Sequence, residues 1–325
     1  MNKASEGTRM PRAKWSIAAK LVKPECNSET TIGLILRNLD LKRFVNKDCN
    51  QTIESITQTI FKSWFVDFDP VRAKVVAKEK GEDPQLAAML AISGKSAEEL
   101  SGLSTENYQK LAATADLFPE ELVETEHGEV PRGWEWKSVE DMLEINPRLS
   151  LKKNKMAKYT DMKALPTSGY SIGEFIYKEY KGGAKFQQGD VLLARIAPCL
   201  ENGKTGIVDF LADNEVGFGS TEFIVLRKKN SIKTPFVACL ARYESFVNHC
   251  IRNMVGTSGR QRVQNSCFQS FFVALPNNDI LDTFNDKMEV LFANLTVNSE
   301  QSRSLAQIRD TLLPKLLSGE LQITQ

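Results

Sequence analysis

The chain has 325 residues, 42% of them apolar, and 42 Lys plus Arg against 41 Asp plus Glu give a formal net charge of +1. This composition excludes collagen-like, mucin-like and wholly disordered chains. No run approaches the ~18 consecutive apolar residues of a membrane helix, and the N-terminal MNKASEGTRM lacks the apolar core of a signal peptide, so a cytoplasmic location is expected. Six cysteines (Cys26, Cys49, Cys199, Cys239, Cys250, Cys267) form no CxxC pair and only His127 and His249 are present, so no metal site is expected and the thiols read as reduced.

The near-neutral total hides an asymmetry. Residues 131–277 carry 21 Lys plus Arg against 14 Asp plus Glu, a local charge of +7, which leaves -6 on the remainder. Residues 79–129 hold 12 acids and only Lys80, Lys95 and Lys110. Such a chain can bind a polyanion through one region and repel it through another.

Four pieces follow in chain order. Residues 1–37 have too few apolar positions for a core and are expected to be a vestigial or poorly ordered N-terminal segment. Residues 38–130 form a helical region and connector. Leu41, Val45, Cys49, Ile53, Ile56, Ile60 and Trp64 step by 4, 4, 4, 3, 4 and 4, which predicts one stripe of a long amphipathic helix ending before Pro70. Short helices are predicted over 84–92 and 105–117. Residues 131–277 read as a globular α/β domain, with strands predicted over 191–196, 206–210 and 223–226 and glycines gathered in loops. Residues 278–325 read as a distal long helix. Leu281, Phe284, Met288, Leu291 and Leu295 step by 3, 4, 3 and 4, and after polar Asn298 and Ser302 the register resumes at Leu305, Leu312 and Leu316. Helical throughout 278–317, this piece would reach about 60 Å, with Pro314 disturbing its last turns. The fold class expected is mixed α+β: one α/β head plus two long antiparallel helices forming a coiled-coil-like rod.

Catalytic motifs are incomplete. The segment PCLENGKT at 198–205 ends like a phosphate loop but has proline in place of the first glycine, and a strand rather than a helix follows. Asn146-Pro147-Arg148 lacks the second proline and aromatic of an adenine methyltransferase motif, and Asp190, Glu201 and Lys204 miss the spacing of a metal-dependent nuclease. What remains is a binding surface. Lys152, Lys153, Lys155 and Lys158 form a basic run. Arg195 and Asn202 can reach bases, Lys204 suits phosphate, and the glycine-flanked Thr257, Ser258, Arg260, Gln261 and Arg262 suit close approach to a duplex. Ser220 completes the DNA-binding candidates.

Several segments resemble the DNA-specificity subunits of type I restriction-modification systems, in a half-length form with a single, second target-recognition domain. TIFKSWFVDFDPVRAK at 59–74 is similar to the end of that family's first conserved helix. LFP at 117–119 with HGEVPRGW at 127–134 resembles the start of its second recognition domain, and RDTLLPKLLSGEL at 309–321 its C-terminal signature. GDVLLAR at 189–195 and Gly203-Lys204 also look familiar within the head. The resemblance implies a non-catalytic subunit that recognises double-stranded DNA. It implies methyltransferase (modification) subunits and a motor/endonuclease (restriction) subunit as partners. No cofactor is expected on this chain, S-adenosylmethionine and ATP being expected only on those partners. The seam residues Ile53, Ile56, Ile60, Trp64, Leu281, Phe284, Met288, Leu291, Leu295, Leu305, Leu312 and Leu316 would then hold the paired helices.

Full-length relatives carry a first recognition domain ahead of the first helix, where this sequence has about 38 residues. A homodimer restoring two recognition domains over inverted half-sites is therefore expected. The alternatives are a stand-alone nuclease or adenine methyltransferase, and a truncated remnant or helical scaffold that does not bind DNA.

Overall fold

The computed structural model describes residues 27–257, 259–318 and 320. Two compact units divide the chain, one of residues 46–300 and one of residues 1–45 with 301–325. The long helix α1 (Asn27–Phe65) starts at Asn27, ahead of the expected Asn38. The expectation for residues 1–26 lies outside the described residues.

Within residues 46–300, the buried stripe of α1 runs through Asn46, Thr57, Phe61, Trp64 and Phe65, with Ile53 and Ile60 half-buried. Ile56 does not belong to it and is 44% exposed. The neighbouring Thr57 takes the inward position, because its hydroxyl donates to Glu54 O at 2.9 Å and so enters the core without an unmet hydrogen bond. Leu41 and Val45 are likewise exposed.

Helix α1 ends where Phe68 adopts a left-handed backbone with φ of 56°. That conformation is costly for a bulky residue. Burial of its ring edge-on against Trp134, with centroids 5.7 Å apart, offsets the cost. Pro70 then opens α2 (Asp69–Lys80), where a missing N–H does no harm. The acidic connector continues through α3 (Pro84–Ser93), α4 (Ala97–Ser101) and α5 (Thr105–Asp116), which bury Ala88, Met89, Leu100 and Ala115 together. Asp83 and Ser96 cap α3 and α4 through their side chains.

The head follows. A hairpin of β1 (Leu122–Thr125) and β2 (Gly128–Pro131) leads into β3 (Glu135–Ser138), the short α6 (Val139–Met142) and β4 (Leu143–Ile145). Next come β5 (Met156–Thr160), β6 (Ile176–Glu179), β7 (Ala184–Phe186), β8 (Val191–Ala194), β9 (Thr205–Ile207), β10 (Gly217–Gly219) and β11 (Phe223–Lys228). They build two four-stranded sheets, ordered β6-β5-β10-β7 and β4-β11-β8-β9. The second is mostly buried: β8 reads Val-Leu-Leu-Ala with every residue inside, covered by α7 (Thr234–Arg242). Helix α8 (Glu244–Arg252), a hairpin of β12 (Met254–Val255) and β13 (Arg262–Val263), a 3-10 turn (Asn265–Gln269) and β14 (Phe272–Leu275) complete the head. Strand β14 pairs antiparallel with β3, bringing the two ends of the head together.

From there the chain enters α9 (Asn278–Leu317), which continues through Pro314. Its residues up to 300 run antiparallel to the second half of α1, since Phe284 packs on Trp64 and Phe65 while Asn298 meets Asn46 and Asn50. Leu281, Phe284, Met288 and Leu295 are buried and Leu291 is half-buried. The polar break in the heptads is matched by asparagines: Asn298 donates to Asn50 Oδ1 at 2.9 Å, and Asn50 to Ser299 Oγ at 3.1 Å. Half-buried polar pairs of this kind favour one register, because slippage would leave them unsatisfied.

In the other unit, Arg309 pairs with Asp40 at 3.0 Å, and Leu305, Leu312 and Leu316 are half-buried. No helix of the described residues is long and apolar enough to cross a membrane. Of the cysteines, Cys49, Cys199, Cys239, Cys250 and Cys267 are free, and Cys26 lies outside the described residues.

Candidate nucleic-acid interface

A cleft of about 600 Å³ opens on the head between the β4–β5 loop, β7 and the ends of β8 and β11. Its charged lining residues are Arg148, Lys185 and Arg195, and no carboxylate lines it. Asn146 shapes one wall. With φ of 52° it turns the chain, and its side chain accepts from Val225 N at 2.9 Å while donating to Asn265 Oδ1 at 3.3 Å. This fixes the Asn146-Pro147-Arg148 segment and leaves Arg148 exposed. At another wall Gly183, with φ of 122°, lies so close to β10 that a Cβ there would fall 2.0 Å from Gly219 O, so only glycine fits. Lys185 donates to Leu149 O and lies 5.8 Å from the centre of the Tyr180 ring.

Tyr180 connects the cleft to the basic run. Its N–H donates to Lys155 O at 2.9 Å and its carbonyl accepts from Asn154 N at 2.9 Å, so the turn holding Lys152, Lys153 and Lys155 is tied beside it. All three lysines are exposed. The fourth member is not. Lys158 turns inward to Phe210 O at 2.8 Å and Glu215 Oε2 at 3.0 Å, because alternation along β5 sends it to a different face. Its ammonium is thus engaged within the head, whereas the other three lysines of the run stay exposed.

The second cluster also divides. Lys204 donates to Met162 O at 2.7 Å, which ties it to the loop before β6. Arg262 clamps Glu222, with Nε at 3.0 and 2.9 Å from the two carboxylate oxygens and a terminal nitrogen at 2.7 Å. The guanidinium fork is thus filled by a carboxylate of the same head, and that carboxylate raises its pKa. Ser220 accepts from Glu222 N at 3.1 Å in a local turn. Asn202, Thr257 and Arg260 are exposed, Gln261 is half-buried with its carbonyl accepting from Ala197 N, and Ser258 lies outside the described residues. Through that bond and the Val263 N to Arg195 O bond at 3.0 Å, the β12–β13 hairpin is stitched to the end of β8.

The structure thus gathers Arg195 with Arg148, Lys185 and Thr221. Neither periodicity nor motif marks these last three as binding residues, and Arg148 figures in the sequence only within an incomplete methyltransferase motif. The nuclease alternative fares differently: Asp190 is 2% exposed and held by Arg227 at 2.7 and 2.8 Å, so it serves the core. Among the described residues no cluster of His, Cys, Asp or Glu is able to hold a metal ion.

A cationic, carboxylate-free cleft on an α+β head, joined to long paired helices, is the arrangement of a nucleic-acid-recognition protein. Residues 131–302 match the model of the type I restriction modification DNA specificity domain. The chain belongs to the family of type I restriction-modification DNA-specificity subunits, the non-catalytic class that recognises DNA. It is 33% identical to the type I restriction enzyme HindI specificity subunit of Haemophilus influenzae over 328 residues, covering 92% of this chain and 68% of that protein. The EcoAI specificity subunit of Escherichia coli is 27% identical over 63% of this chain and 35% of its own length. Among solved structures, an S subunit of a type I system from M. genitalium aligns with a TM-score of 0.43 and 13% identity, over 90% of this chain and 61% of that chain. The chain thus spans about a third to two thirds of these relatives.

Proposed function

We propose that the head reads one half of a bipartite site in double-stranded DNA and that the chain delivers methyltransferase subunits, and through them a motor/endonuclease subunit, to that site. The cationic cleft carries this reading. Arg148, Lys185 and Arg195 converge with no carboxylate to repel phosphate, while the exposed Lys152, Lys153 and Lys155 extend the positive surface past Tyr180. Glu222, whose backbone bonds to Arg195, is neutralised by Arg262. The seam of α1 and α9 supplies a rigid mount, so that the head holds a fixed register to whatever the helices dock. S-adenosylmethionine and ATP belong to the partner subunits in this reading, and the chain binds no cofactor itself. A second copy of the chain would place a second head on the duplex and make the half-sites identical and inverted.

Mapping methylated adenines in cells that carry this chain and its methyltransferase subunits tests the proposal. The expected result is methylation confined to one bipartite sequence and lost when the chain is removed. Methylation that persists unchanged without the chain would overturn it. Sedimentation of the assembled complex counts the copies.

A further inference from the structure

We infer that Arg195 is the guanine-reading side chain of the head, and that Arg262 holds Glu222 so that Arg195 stays free to read. The inference rests on the DNA-recognition reading above and adds which residue discriminates and which base it selects.

The register of the sheet sets the problem. Phe223 pairs with Ala194, so the next step places Glu222 directly opposite Arg195, and Arg195 N donates to Glu222 O at 2.8 Å. Opposed residues of an antiparallel pair point to the same face with Cβ atoms roughly 5 Å apart. An arginine facing a glutamate at that distance ordinarily closes a cross-strand ion pair. Here it does not. Arg262 occupies both oxygens of Glu222, at 2.7 to 3.0 Å. Arg195 instead sends its Nε to Val263 O at 2.9 Å. No described residue accepts from the two terminal nitrogens of Arg195, and the side chain lines the cleft.

The result is a preorganised reader. One edge of the guanidinium is pinned to backbone, and the backbone of Arg195 is itself bonded on both sides, to Glu222 and Val263. The free terminal nitrogens form a planar donor pair, which matches the O6 and N7 acceptors of guanine in the major groove and no other base as well. Arg148, Lys185 and Thr221 share the cleft, and none adds a negative charge to compete for the fork. Arg262 acts through Glu222 and is a positioning residue.

The two roles separate in one experiment. A randomised duplex DNA library is enriched on the full chain assembled with its methyltransferase subunits, for the wild type, Arg195→Lys, Arg262→Ala and the double variant Arg262→Ala with Glu222→Gln. The wild-type site should contain a guanine at which Arg195→Lys loses roughly ten- to hundredfold of preference, with the other positions and the salt dependence kept. Arg262→Ala should lose preference at that same base pair, because the released Glu222 captures Arg195. Neutralising Glu222 in the double variant should restore most of it, which a merely structural role for Arg262 would not allow. Retention of every preference by Arg195→Lys, or failure of the double variant to recover, overturns the inference and leaves the DNA-recognition reading standing. A wild type that enriches no sequence overturns that reading, and the inference with it.

Discussion

Two arginines of the head have opposite surroundings. At the base of the head, where it meets α1, Arg242 is enclosed: it pairs with Glu54 of α1 at 3.0 Å, both side chains nearly buried, and donates to the carbonyls of Thr167, Thr205 and Gly169. Glu54 also accepts from Gly169 N, while Gln58, one turn further along α1, reaches the Tyr170 hydroxyl at 2.7 Å. In the cleft, Arg195 spends one nitrogen on the protein and keeps the others. A buried cation must be matched, because an uncompensated charge away from water is costly. A cation on an open cleft can stay unmatched until a polyanion arrives. The same residue type is therefore neutralised within the protein in one region and left with free donors in the other, according to where carboxylates lie.

That contrast can be broken in order of effect. Arg242→Ala strands Glu54 at the base and should destabilise the full chain by about 3 to 5 kcal/mol; urea denaturation measures it, and a loss near zero would mean that the base is not held by this pair. Lys158→Ala, inside the head, should cost about 1 to 3 kcal/mol. This variant also has a pH signature. Burial pushes the Glu215 carboxyl up, but hydrogen bonds from Ala212 N–H and Lys158 outweigh it and hold the group below its ordinary value. A depressed carboxylate stabilises the fold above its ordinary pKa, and that contribution is lost as pH falls through the folded-state pKa. Wild-type stability should therefore drop in acid more steeply than that of Lys158→Ala, as read by denaturation at neutral and acid pH.

Asn50→Ala removes the hydrogen bonds to Ser299 and Asn298 and should cost about 1 kcal/mol, with register rather than stability as the main loss; cysteine cross-linking between the helices would report slipped pairings. Smallest in stability, and opposite in function, is the combined Lys152→Ala, Lys153→Ala and Lys155→Ala variant. Exposed side chains of this kind should change stability by less than about 0.5 kcal/mol, yet the salt dependence of DNA binding should fall by about 0.9 for each phosphate that is no longer neutralised. An unchanged salt slope would remove these lysines from the interface.

Much of the fold was readable from periodicity. The seam at Leu281, Phe284, Met288, Leu291 and Leu295 is legible because helical spacing puts one face inward whatever the partner. The strand at Val191–Ala194 is legible as an apolar run after a glycine turn. Ile56 marks the limit of that logic, since an apolar residue beside Thr57 looks like the better core position until the Thr57 hydroxyl finds its acceptor within the helix.

The site was less legible. Charge by segment located a basic head, and the motif at 59–74 with those at 117–134 and 309–321 pointed to the family, because local residue patterns survive without any knowledge of folding. Which cations are already paired within the protein was decided by tertiary structure alone. Lys158 finds Phe210 and Glu215, Lys204 finds Met162, and Arg262 finds Glu222, each 40 or more residues away in sequence. Arg148, Lys185 and Arg195 come together from three separate loops and strands. A side chain's charge is written in the sequence; whether that charge is already neutralised depends on distances between segments, and only the folded chain sets those.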